Sequence, residues 1–144
     1  MLDIKKNAAN PLKIIKYGTH TDSSWLKMED LQHEFSGFLN PIIDTGNLVS
    51  LFSEKKFLDQ DLDAYTFTYD PMGKLPDTMP LLHWDVYVRP TDGKVTRIYM
   101  LKRIDALTRQ QLTWQTGNWS KIITLKTSAG REVIQKEEMI IWNY

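Results

Sequence analysis

The sequence predicts an α+β domain, with one or two N-terminal helices packed on one face of a curved antiparallel β-meander of five to six strands. Three observations point there. Apolar residues between Trp25 and Leu39 recur at helical spacing. After Asp61 the period falls to two, and the residues become aromatic and β-branched. Short glycine-containing links then separate the apolar runs, and links that short force neighbouring strands to be antiparallel.

Taken in order, the first ten residues are polar and lack periodicity, so residues 1–12 are expected to be a flexible tail ahead of a single α+β domain over 13–144. A short strand through Ile14 and Ile15 follows. Trp25, Met28, Phe35 and Leu39, with Gln32 between, lie on one helical stripe; Thr21, Asp22, Ser23 and Ser24 offer N-caps, and Asn40-Pro41 ends the helix. Leu48, Leu51, Phe52 and Lys55 repeat at helical spacing after the Gly46-Asn47 turn, which predicts a second helix over Leu48 to Phe57. The strands expected next are Leu62 to Tyr69, Leu81 to Arg89, Lys94 to Ile104, Leu107 to Gln115, Trp119 to Thr127 and Arg131 to Trp142. Glycine at Gly93, Gly117 and Gly130 supplies the turns, and Asp70 to Pro80 is the long irregular connection.

A three-residue loop with a glycine bulge would set Pro90 opposite Lys94, and hence Val88 against Thr96, Val86 against Ile98 and Trp84 against Met100. That face is expected to be core, joined by Trp25, Met28 and Phe35. The other face would carry His83, Asp85, Tyr87 and Arg89 against Leu101, Tyr99, Arg97 and Val95.

Composition narrows the function classes. The 144 residues are 42% hydrophobic, enough for one continuous core. Lysine plus arginine number 18 and so do aspartate plus glutamate, so no overall field draws the chain to nucleic acid or a membrane, and neither is expected as a partner. With no cysteine there is no thiol nucleophile, disulfide or cysteine-ligated metal. No apolar leader opens the sequence and no run suits a bilayer span, which makes the cytoplasm the expected location.

The candidate chemistry lies on the polar sheet face. Asp85 and His83 are the candidate general bases, and Tyr87, Arg97, Tyr99 and Leu101 the candidate ligand contacts. The alternative is a solvated face of cross-strand charge and aromatic pairs. Asp59, Asp61 and Asp63 alternate as in the first half of an EF-hand loop, but Ala64 and Asp70 stand where glycine and glutamate are needed, so calcium is not expected. Glu29 and His33 share a helical face, yet two ligands do not make a metal site, and no metal or cofactor is expected. Asn118-Trp119-Ser120 matches a glycosylation sequon in a turn.

Two functional readings follow. One is a small soluble binding or interaction domain holding a small ligand in a pocket between helices and sheet, or forming a homo-oligomer through the sheet. Helices followed by a meander is an outline shared with NTF2-like domains and small lipid-binding barrels, without their motifs. The other is a small cofactor-free enzyme of NTF2-like outline using Asp85 or His83 as general base.

Overall fold

In a computed structural model of the chain, the described residues are 11–27, 31–35, 51–61, 64–75 and 79–142. Nine strands form one antiparallel sheet: β1 (Leu12–Tyr17), β2 (His20–Trp25), β3 (Phe52–Asp59), β4 (Ala64–Pro71), β5 (Leu81–Val88), β6 (Val95–Asp105), β7 (Thr108–Gln115), β8 (Trp119–Ser128) and β9 (Arg131–Ile141). The spatial order is β2-β1-β9-β8-β7-β6-β5-β4-β3, so β3 to β9 run as a simple meander and β1 docks on the far side of β9. Helical backbone occurs among the described residues in one turn, α1 (Leu31–Glu34), and at Leu51.

The expected α+β class is therefore corrected to a nearly all-β one. Two segments account for the change. His20–Trp25, expected as helix caps and the start of the apolar stripe, is β2, and Trp25 pairs with Leu12 while remaining 50% exposed. Phe52–Phe57, expected as the second half of a helix, belongs to β3, where Phe52 is buried opposite Pro71. Met28, Leu39 and Leu48 lie outside the described residues. Each of the six strands expected after Asp61 is present, their ends shifted by a residue or two, while the whole sheet has nine strands where five to six were expected. β1 begins at Leu12, inside the segment expected as tail, and Pro11 before it is buried.

The core lies on one face of the sheet. Phe52, Leu81, Trp84, Met100 and Leu112 are buried together with Met79, and Leu51, Tyr69, Leu75, Val86, Ile98 and Ile122 pack around them. Trp84 is 3% exposed; it stacks on Tyr69 at 4.4 Å between ring centres and meets Phe52 edge-on at 4.7 Å. The long β4–β5 connection is thus partly structural, because it folds Leu75 and Met79 onto this core. Farther along the sheet Phe35, next to α1, meets Trp114 edge-on at 4.7 Å and Trp142 at 5.7 Å.

The β5–β6 hairpin keeps the expected register at Trp84–Met100 and Val86–Ile98, but reaches it by a different turn. Arg89 N donates to Lys94 O and Gly93 N donates to Arg89 O, so the loop is the four residues Pro90 to Gly93 rather than three. Val88 then faces Val95, not Thr96, and the register shift next to Tyr87 leaves Thr96 as the extra residue. The longer loop and the bulge cancel. His83, Asp85 and Tyr87 consequently face Leu101, Tyr99 and Arg97 on the side away from the core.

Candidate functional site

Period-two alternation carries His83, Asp85 and Tyr87 to the face opposite Trp84 and Val86, and pairing with β4 sets Thr68 against Asp85. Asp70, at the end of β4, reaches the same place. His83 Nδ1 lies 2.6 Å from Asp70 Oδ1, and Nε2 lies 3.0 Å from Asp85 Oδ2. Thr68 Oγ1 donates to Asp85 Oδ1 at 2.7 Å. The His83 and Asp85 side chains are 24% and 17% exposed, so water screens these contacts only in part.

An imidazole with a carboxylate at each nitrogen satisfies both only as the doubly protonated cation. Burial works to lower the His83 pKa, but the hydrogen bonds to Asp85 and Asp70, reinforced by their charges, outweigh it and leave the value raised. In that state the ring has no lone pair to accept a proton or bind a metal, and both oxygens of Asp85 are engaged. Tyr99 lies edge-on to His83 at 6.2 Å, and burial followed by the charge of Asp85 raises its hydroxyl pKa, so it stays protonated. Arg97 turns away from Asp85: its Nε donates to Gln115 Oε1 at 3.1 Å, and its guanidinium lies 5.9 Å from the centre of the Tyr87 ring. Leu101 stands opposite His83. The six residues expected from sequence thus share one face, and Asp70 and Thr68, which sequence reasoning missed, complete the cluster.

A second locus lies on the core-bearing face at the other side of the sheet. There α1 stands over β1, β8 and β9 and leaves a cavity of about 280 Å³ lined by Lys13, His33, Glu34, Ser120, Ile122, Glu138 and Ile140. Lys13 Nζ donates to Glu34 Oε2 at 2.7 Å and lies 3.9 Å from Glu138 Oε1, which Lys136 Nζ approaches to 3.3 Å. Ser120 and Ile140 are buried partners across β8 and β9 and form the floor with Ile122. The Lys13, Glu34 and Glu138 side chains are only 16–20% exposed.

No protein-family model, curated protein or solved structure matches this chain. The site must therefore be read from its own chemistry.

Other groups expected from sequence fall elsewhere. The acidic run occupies the β3–β4 turn, where Asp59 pairs with Ala64 and Asp61 is exposed beside an open hollow of about 520 Å³ lined by Phe57, Leu58, Gln60, Asp61 and Thr66; Asp63 lies outside the described residues. Glu29 is also outside them, while His33 contributes to the cavity. Among the described residues no three His, Cys, Asp or Glu side chains converge to hold a metal. Sequence reasoning missed Lys13, Glu34, Ser120 and Glu138 at the cavity and Lys102 in the core. Lys102 is 6% exposed opposite Leu81, and burial lowers its pKa. Its alternation with Met100 and Ile98 was the available signal.

Proposed function

We propose that the protein is a non-catalytic binding domain that holds a small molecule in the cavity between α1 and the sheet. One observation carries this reading: an ammonium, two carboxylates and an imidazole line a space of about 280 Å³ over a floor of Ser120, Ile122 and Ile140. That volume is close to the lower end of ordinary ligand pockets and suits a compact molecule. The lining suits a ligand with a charged head against Glu34, Glu138 or Lys13 and an apolar part against Ile122 and Ile140. Glu34 and Glu138 already share Lys13, so an ammonium on the ligand would exchange places with a paired side chain rather than meet a bare charge.

The enzyme reading has less support, because a base needs an available lone pair and His83 is clamped between Asp70 and Asp85. Both carboxylates raise its pKa against the effect of burial.

Ligand-observed NMR with a panel of small amines, amino acids and carboxylates tests the proposal. At least one class is expected to bind the parent, and the Glu34→Gln/Glu138→Gln variant to lose it while Glu132→Gln, remote from the cavity, keeps it. A panel in which nothing binds, or in which the double variant binds as the parent does, overturns the reading.

A further inference from the structure

The charged side chains around the α1 cavity form one continuous chain. Lys13 of β1 donates to Glu34 of α1 at 2.7 Å and lies 3.9 Å from Glu138 of β9, which Lys136 approaches to 3.3 Å. The β1–β9 register explains the grouping. Lys13 stands opposite Ile140 and Ile15 opposite Glu138, so Lys13 and Glu138 are diagonal neighbours on one face of the ladder, and α1 sets Glu34 beside them. With histidine counted as neutral, two ammonium groups balance two carboxylates. The Lys13, Glu34 and Glu138 side chains are only 16–20% exposed, so water screens that balance in part.

A balanced site discriminates among ligands by their charge. A simple amine reaches a carboxylate by taking the place of Lys13, and it adds one uncompensated positive charge to a partly buried site. A simple carboxylic acid does the reverse at Lys13. A zwitterion does neither, because an ammonium has three N–H donors and a carboxylate about four acceptor positions, so Lys13 and Glu34 can keep each other and still take a second partner. That partner must present both charges side by side. In an α-amino acid a single carbon separates the two groups, and ordinary bond lengths set the nitrogen about 3 Å from a carboxylate oxygen. The spacing matches the 2.7 Å between Lys13 Nζ and Glu34 Oε2. Laid head to tail along this pair, the zwitterion leaves the net charge of the site unchanged.

We infer, resting on the reading of this cavity as a small-molecule site, that its ligand is a free aliphatic α-amino acid. Its carboxylate lies on Lys13, its ammonium on Glu34 and its side chain against Ile122 and Ile140. The floor selects the side chain: Ile122 and Ile140 are aliphatic, and every charged residue lining the cavity among the described residues already belongs to the chain of ion pairs. A charged side chain on the ligand would undo the balance that favours a zwitterion. The volume of about 280 Å³ keeps the ligand small.

Calorimetric titration of the full chain with L-leucine, isoamylamine and isocaproate tests it, the last two being leucine without its carboxylate and leucine without its ammonium. Leucine is expected to bind about tenfold or more tightly than either, the effect of losing one charged hydrogen bond. Alanine is expected to bind more weakly than leucine by about fourfold for each missing methylene, since a buried methylene contributes about 0.8 kcal/mol. Lys13→Met and Glu34→Gln are each expected to weaken leucine binding about tenfold or more, with circular dichroism checking the fold. If Lys13→Met does not fold, Glu34→Gln, which lies outside the sheet, decides. The inference fails if leucine binds no more tightly than the amine, the acid or alanine, or if a folded variant binds it as the parent does. Should isoamylamine or isocaproate bind through Glu34 and Glu138 while leucine does not, this inference falls and the small-molecule reading stands. Should leucine, both analogues and the wider panel all fail to bind, both fall.

Discussion

His83, a candidate base in the sequence, lies between the carboxylates of Asp70 and Asp85. Folding places a carboxylate at each ring nitrogen, so the folded chain holds the imidazole proton more tightly than the unfolded chain does. The resulting stabilisation is fully present below the unfolded value of about 6.5 and is lost as pH rises through the higher folded value. Urea denaturation is therefore expected to show the parent losing stability relative to His83→Asn as pH rises above about 6.5. Parallel curves for the two proteins would mean that the ring is not clamped. The same geometry changes what Asp85→Asn should do: on a purely ligand-facing role it would leave stability untouched, but here it removes a carboxylate from a partly buried cation and should lower the melting temperature. Tyr69 illustrates the opposite sign of environment, its hydroxyl pushed up to about 12 by burial and by Glu54, so it remains a neutral stacking partner for Trp84. Replacing Trp84 with alanine should cost about 3–5 kcal/mol, the range for large buried aromatics. A melting shift near zero would contradict its place in the core.

Which elements were legible depends on where each strand sits in the sheet. β4 to β9 have neighbours on both sides and show the alternation or aromatic enrichment from which strands are read. The two misread segments, β2 and β3, are the two end strands of the sheet. All six residues of β2 are exposed, so no buried face impresses a period on HTDSSW. In β3 the residues 54–58 are likewise exposed, and the run Glu54, Lys55, Lys56 has strong helix formers that local propensity assigns to a helix. Pairing with β4 overrides that propensity, and Lys56 lays its ammonium 4.4 Å from the centre of the Tyr65 ring. The β5–β6 part of the polar cluster was legible because it needed only one hairpin register, whereas Thr68 and Asp70 join it through the β4–β5 pairing across the long connection. The α1 cavity was not, since Lys13, Ser120 and Glu138 meet only when the first strand finds the last, and no local pattern reports that pairing. Charge on an end strand also guards against sheet-to-sheet pairing. Lys55→Val is accordingly expected to leave the melting temperature almost unchanged but to produce concentration-dependent association in light scattering; a variant as monodisperse as the parent would show that β3 is protected by something other than its lysines.

At the scale of the whole molecule, the topology separates contacts that form early from contacts that form late. From β3 to β9 each strand pairs with its chain neighbour, so every loop closed, the longer β4–β5 connection included, is far shorter than the one that joins β1 to β9. The β1–β9 ladder, from Leu12–Ile141 to Lys16–Glu137, instead joins residues more than a hundred positions apart and also assembles the Lys13 side of the cavity. Closing so long a loop costs more than closing a hairpin, and it is rewarded only once β9 already lies in the sheet. Folding is therefore expected to pass through a transition state in which the meander around Leu112 is partly formed and β1 is still undocked. Leu112 is fully buried in β7, and Leu112→Ala should slow folding. Ile14 pairs with Met139 in the late ladder, and Ile14→Ala should chiefly speed unfolding. Stopped-flow chevrons of the two variants decide between orders of assembly, provided each loses more than about 0.6 kcal/mol of stability. If Ile14→Ala slows folding in proportion to its loss of stability, the first and last strands meet before the transition state, and the meander is not the nucleus.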